Sequence, residues 1–275
     1  MLATLRRQPL LAIGLALVVG QVGLAVFAPI AATHDPLAQS ILVRYQSPGA
    51  EHWLGTDKFG RDNFSRIVYG YRASLAIAAA AVTIALTLGG TLGIVAAYYR
   101  GWTERIIMRC MDILFAFPIM LLAIGVIAVL GPQAWTTAVA IGVVYTPIFA
   151  RLLRGPTLVI AESEYVLGAK AVGAGDRRII LRHILPNLTS VILVQASLSL
   201  STAILVEASL SFLGIGTQPP TPSLGLMLAD GREYVFLSPW TSIYAGFAIL
   251  LMSFGFNLLG DALRDTLDPR LRGAS

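Results

Sequence analysis

Few residues in this chain carry groups that do chemistry, and their spacing argues against catalysis within it. Glu207 closes an uncharged run that begins at Pro186, and Asp112 stands just ahead of another, residues 113–150. An acid bordering an apolar run is costly unless it is paired or wet, so both are candidates for a pore or gate. Gln195 is a polar group inside the first of these runs, and Pro118, expected to kink its helix and free a backbone carbonyl, completes the gate candidates. His34, His52 and His183 are far apart, Cys110 is the single cysteine, and neither H-x-x-x-H nor C-x-x-C spacing occurs. Neither a metal site nor an internal disulfide is therefore expected. No Ser or His has a legible nucleophile and base arrangement, so no catalytic residue is assigned. No G-x-x-x-x-G-K-S/T occurs, and no Gly is followed by Lys, so nothing here would cradle a phosphate.

The densest charge lies at residues 151–186, between the two uncharged runs. Arg151, Arg154, Glu162, Glu164, Lys170, Asp176, Arg177, Arg178 and Arg182 all fall there. A polar island between two apolar seas belongs on the water side of a membrane. The local pattern predicts a helix over residues 163–172, a turn at Gly173 and Gly175, and a second helix capped by Asp176 and stopped by Pro186. Tyr165, Ala169 and Val172 share one face of the first helix by the i, i+4, i+7 rule. That face is free to dock into a partner.

The elements that must hold this island are membrane spans. Of 275 residues, 56% are hydrophobic and only 13% are charged, against roughly 25% charged in a soluble domain. The mean hydropathy is +0.74. These values predict an all-α integral membrane protein. Its first span has an apolar core at residues 10–30, longer than the roughly 7–15 residues of a cleaved leader, and is expected to be retained. Residues 34–72 are polar and read as an amphipathic interfacial helix with Phe59, Phe64, Ile67 and Tyr69 in lipid, or as a lattice of Asp57, Arg61, Asp62 and Arg66 packed on the pore rim. A second span follows at 73–99, then a polar turn anchored by Trp102. At 1.5 Å per residue, residues 113–150 would extend about 57 Å as one helix, so Gly131-Pro132 is expected to divide them into two spans. A fifth span lies at 187–206, with hydroxyl residues for helix packing or pore lining. Residues 208–229 hold too many Gly and Pro for a continuous helix and predict an outer or re-entrant loop. The last span is expected at 235–260.

About six spans place both ends and the 151–186 loop on one side. With that side inside, the 20 Lys and Arg divide about fourteen inside to six outside, as positive-inside bias requires. The resulting organisation is an N-terminal span and outer segment at 1–72, a core at 73–264 with an outer loop at 208–234, and a cytoplasmic tail at 265–275. A net charge of +5 comes from residues scattered among short loops, which argues against nucleic acid as a partner.

Four stretches resemble a known family. Leu167-Gly168-Ala169, then Gly173, His183 and Leu185-Pro186, resemble the cytoplasmic loop of binding-protein-dependent ABC importer permeases, whose pattern is Glu-Ala-Ala, three residues, Gly, nine residues, Ile, one residue, Leu-Pro. Leu167 stands where that pattern has Glu, and His183 where it has Ile. Gly55-Thr56-Asp57, Gly60-Arg61-Asp62, Ser65-Arg66 and Gly70-x-Arg72-x-Ser74-Leu75 resemble the signature of the oligopeptide, dipeptide and nickel subfamily. Met111-Asp112 with Phe117-Pro118, and the residues from Asn257 to Arg270, are similar to the same subfamily.

The resemblance implies a type I ABC importer permease fold in a bacterial inner membrane. It implies a heterodimer with a second homologous permease subunit, two ATP-binding subunits that hold ATP and Mg, and a periplasmic or lipoprotein substrate-binding protein. Tyr165, Gly168, Ala169, Lys170, Gly173, Asp176, Arg182, Leu185 and Pro186 would then contact the ATPase. Gly214, Gly216, Pro219, Pro220 and Pro222 would meet the binding protein. Di- or oligopeptides are the implied cargo, with nickel and glutathione importers as alternatives in the same family. An ion-coupled secondary transporter is the rival of another class, for which Glu207 and Asp112 would be the coupling groups.

Overall fold

The computed structural model describes residues 9–267. Arg6 and Arg7 ahead of the first span, and Asp268, Pro269 and Arg270 in the tail, lie outside the described residues. Helix α1 (Pro9–Val26) and the short α2 (Ala28–Ala31) form the first apolar element. After a long irregular segment come α3 (Asn63–Tyr99), α4 (Gly101–Phe115), α5 (Ile119–Leu130) and α6 (Ala134–Ala161). Helix α7 (Glu164–Ala171) is short. One turn of helix, α8 (Asp176–Ile179), passes through a π-helical turn at Ile180–Ile184 into α9 (Leu185–Phe212). Helices α10 (Leu224–Glu233) and α11 (Trp240–Leu267) complete the fold. Among the described residues, five helical elements are long and apolar enough to cross a membrane, and α4 with α5, bent by 94° at a short break, makes a sixth if counted as one span.

Several boundaries differ from the expectations above. Residues 34–62 form no interfacial helix, and Ile67 is buried in the core instead of facing lipid. Helix α3 instead starts ten residues before the uncharged run, with Asp62 as its N-cap accepting from the Ser65 backbone N–H at 2.8 Å. Its 37 residues extend about 55 Å, well beyond a hydrocarbon layer of roughly 30 Å. Pro118 does more than kink a helix: α4 ends at Phe115, and α5 restarts after it in a new direction. The break expected at Gly131-Pro132 is present, with Gly131 at φ 86°. The loop drawn from Arg151 is helical as far as Ala161, so only residues 162–163 and 172–175 are irregular there.

Pro186 does not stop a helix either. It occupies the first turn of α9, just after the π-helical turn, where the Leu185 N–H reaches back to the Ile180 carbonyl. That five-residue step takes up the register change required by a residue with no N–H of its own. Asp176 opens α8, and Gly175 holds the cap position assigned to it. On the other side, the expected outer loop at 208–234 is helical at both ends, leaving residues 213–223 irregular. The last span starts at Trp240 instead of residue 235.

Close packing of α3 on α6 organises the centre. A Cβ on Gly89 would sit 2.2 Å from the Thr146 carbonyl oxygen, and one on Gly93 2.3 Å from that of Ala150. Spaced by four, these glycines bring two backbones together, the small-residue packing by which helices associate in lipid. Around them Ala78, Ala81, Ala85, Ile141, Phe149 and Ile204 are buried in one cluster with Met252.

Candidate functional site

At the end of the molecule where α3 finishes, a second buried cluster joins Ile94, Leu153, Ala161, Val166, Ile179, Ile184 and Leu188. Val166 is the anchor of α7 in this cluster, being fully buried. Beside it Tyr165 is 50% exposed and Leu167 51%, and Val172, just past the helix, is 85% exposed. Exposed apolar side chains on an eight-residue helix mark an interaction surface more than a packing element. Of the face expected to dock, Tyr165 and Val172 are exposed and Ala169 is half-buried.

Polar contacts hold α7 and its turn to the long helices. The Tyr98 hydroxyl donates to Asp176 Oδ1 at 2.8 Å, and the Lys170 ammonium lies 4.7 Å from the Tyr98 ring centre. Arg100 pairs with Glu162 at 2.7 Å, and Asn187 Nδ2 donates to the Tyr165 hydroxyl at 3.3 Å. Tyr98 was not legible as a site residue, because 78 positions separate it from Asp176. Gly173 turns the chain at φ 83°, with nothing within 4 Å of where a Cβ would stand. A left-handed backbone in open space requires glycine for conformation, not for room. Gly168, Arg182, Leu185 and Pro186 are exposed on the same side, so the structure brings the expected coupling residues to one end.

Beside them the charged faces of α4 and α6 meet. Arg151 Nη2 donates to Asp112 Oδ1 at 2.7 Å, and Arg154 Nε to Glu104 Oε1 at 2.6 Å. A wide groove of about 810 Å³ opens there, lined by these four residues with Arg105 and Arg109. Asp112 is therefore exposed at this end with a cationic partner, and Pro118 is exposed at the break after α4.

Glu207 has no exposed surface. Ser74 on α3 donates to its carboxylate at 2.7 Å, Ser211 at 2.8 Å and Ser223 at 3.3 Å. Three hydroxyls from three segments make it a junction of α3, α9 and the start of α10. None of the three serines was singled out beforehand as its partner, though Ser74 belongs to the second signature. Gln195 is half-buried and donates to Ser199 within its own helix at 3.1 Å. Of the residues expected to meet a binding protein, Gly214, Pro219 and Pro220 are exposed, whereas Gly216 and Pro222 are buried within the chain.

The far end of α3 carries a different construction. Asp57 Oδ2 lies 2.6 Å from Arg61 Nε and 3.7 Å from Arg66 Nε, and all three residues are buried. Arg61 also approaches Asp230 at 3.6 Å, and Lys58 pairs with Asp230 and Glu233 at 3.1 and 2.8 Å. This is the charge lattice among Asp57, Arg61 and Arg66 that residues 34–72 suggested. Burial works against the Lys58 ammonium, yet Glu233 and Asp230 outweigh it and hold its pKa above the ordinary 10.5. Asp62 receives His52 Nδ1 at 2.9 Å, with His34 Nδ1 3.9 Å away. His34 and His52 thus stand together beside Asp62, although the sequence spacing of the histidines points to no metal site: spacing in sequence is no measure of distance where a loop folds back.

Comparison with known proteins agrees with this architecture. The chain is 46% identical over 98% of its length to a dipeptide transport system permease protein of Alkalihalophilus pseudofirmus, covering 88% of it. It is 48% identical over 82% of its length to a glutathione transport system permease protein of Pectobacterium atrosepticum, covering 75% of it. The fold matches a chain of the MetNI methionine ABC transporter in an inward-facing form, with a TM-score of 0.55 and 16% identity over 72% of this chain and 96% of that one. The family model described as binding-protein-dependent transport system inner membrane component matches residues 89–273, and the chain belongs to that family.

Proposed function

We propose that this chain is one of two permease subunits in an ATP-driven importer of di- or oligopeptides, and that α7 with its Gly173 turn is the contact through which ATPase subunits move the pore. The observation that carries the coupling role is the exposed helix itself. Seated by one buried side chain, Val166, with Lys170 on the Tyr98 ring and the Tyr98 hydroxyl bonded to Asp176 just past the turn, it is built to receive a push and pass it to the end of α3. ATP and Mg would be held by the partner subunits, because this chain has no phosphate loop. On the opposite side, Gly214, Pro219 and Pro220 offer an exposed rim for a substrate-binding protein. Glu207, enclosed by serines, acts in this account as a fixed junction of three segments, and the mobile gate is formed elsewhere.

The peptide cargo rests on the dipeptide relative, which is matched along almost the whole chain. Glutathione, itself a tripeptide, is the second reading, favoured by slightly higher identity over a shorter stretch. Reconstitution into vesicles with the second permease, the ATPases and the binding protein decides between them. ATP-dependent accumulation of a labelled dipeptide, with little of labelled glutathione, supports the first reading. Accumulation of either substrate without ATPase subunits contradicts the importer.

A further inference from the structure

We infer that His34, His52 and Asp62 form a binding site for one divalent transition-metal ion of the zinc class, at the end of α3 remote from α7. One imidazole or carboxylate atom from each lies within 4.8 Å of the others. An ion bonded at about 2.0–2.2 Å to tetrahedral ligands needs them roughly 3.4 Å apart. The 2.9 Å from His52 Nδ1 and the 3.9 Å from His34 Nδ1 to Asp62 Oδ1 straddle that spacing. Two imidazoles and a carboxylate suit zinc, nickel and cobalt, and not magnesium or calcium, which favour oxygen ligands.

The ligands are also held as metal ligands usually are. The other oxygen of Asp62 accepts from the Ser65 backbone N–H at 2.8 Å, so the carboxylate cannot swing away. The backbone N–H of His34 donates to Ser65 Oγ at 3.0 Å, anchoring the third ligand to the same turn of helix. Asp62 and His52 are buried and His34 is half-exposed, leaving one mobile ring to close on the ion. A cavity of about 210 Å³ adjoins the three residues, with Asp35 and Glu51 on its wall, and has room for a water as fourth ligand. An ion bound at His52 Nδ1 takes the place of the His52–Asp62 hydrogen bond and leaves the ring proton on Nε2. The ion would then staple the segment after α2 and the loop at His52 to the N-terminus of α3.

The test uses the full chain, purified without an affinity tag and stripped with chelator, with Cys110→Ser removing the exposed thiol. Titration with zinc chloride by calorimetry should show one ion per chain. Cobalt chloride should give the visible absorption of a four-coordinate nitrogen and oxygen site. His34→Ala, whose ring makes its hydrogen bond only to neighbouring Thr33, should keep the fold and weaken zinc binding at least about tenfold. The melting temperature should rise with zinc in the parent and not in that variant. Absence of stoichiometric zinc binding in the parent, or unchanged affinity in His34→Ala, overturns the assignment.

Discussion

The two ends of α3 are built on opposite principles. At its start, Asp57, Arg61 and Arg66 are buried with both guanidinium groups close to the Asp57 carboxylate, and Asp62 is buried as the helix cap, so each constrains its neighbours. At its finish, α7 rests on one buried valine and a few half-exposed polar contacts, with Gly173 turning in open space. Buried charges tolerate no loose geometry, whereas exposed ones yield cheaply. A single helix of 37 residues thus has a fixed end and a yielding end. That is the division a lever needs.

Mutations at the two ends should separate stability from transport. The largest loss of stability is expected from Asp57→Ala, which leaves buried Arg66 without its nearby carboxylate and Arg61 with Asp230 alone. Breaking such a cluster costs roughly 3–5 kcal/mol, read as a lower melting temperature and poor yield from the membrane. A change below about 1 kcal/mol would break the contrast, because the fixed end would then be no more constrained than the other. Glu207→Ala comes next, leaving three buried hydroxyls without their acceptor at about 1–3 kcal/mol, while Glu207→Gln keeps the volume and should lose less. If Glu207→Gln instead abolishes ATP-dependent uptake at unchanged melting temperature, the residue is a gate and not a junction.

Gly173→Val should lie lower still in stability, with about 1–2 kcal/mol of strain confined to the turn at φ 83°. Its effect on transport should be the reverse: uptake falls more than about tenfold, some 1.4 kcal/mol in coupling, while ATP hydrolysis continues. Lys58→Ala should be the mildest, since its ion pairs with Asp230 and Glu233 remain open to solvent on one side and such pairs contribute little. Because its folded pKa is raised, the contribution of Lys58 is complete below pH 10.5 and is lost as pH rises through the higher folded value. The melting difference between parent and variant should therefore be present near neutrality and close on going above that pH.

Much of this architecture was legible because lipid leaves the chain few options. Uncharged runs located the spans, the Gly131-Pro132 break stands where expected, and the left-handed turn falls on Gly173. Helix ends were less legible where a rule about one residue met a compensating neighbour. Pro186 reads as a stop, but the π-helical turn before it restores the register and α9 runs on. Pro118 reads as a kink, and the helix breaks there outright. Charge, too, misleads about helix limits, since α3 and α6 continue far past their uncharged stretches.

The residues proposed for coupling stand out by motif, yet their seat does not. Val166 lies just ahead of the first motif position and looks like any other valine, and Tyr98 is remote from Asp176 in sequence. The Gly89 and Gly93 pair offered a readable signal in its four-residue spacing, one that became meaningful only once α6 was seen against it. His34, His52 and Asp62 offered no such signal, because their grouping depends on an irregular loop whose path no periodicity describes.

The central claim, that α7 meets a motor subunit, is open to one direct measurement. Val172, 85% exposed beside the Gly173 turn, is replaced by cysteine in a Cys110→Ser background. Crosslinking is then carried out in the assembled transporter with a short thiol-specific reagent. The account predicts a covalent adduct with an ATPase subunit whose yield changes when nucleotide is added. Labelling of Val172→Cys by an impermeant reagent from outside the cell, with no adduct to the ATPase, would contradict it.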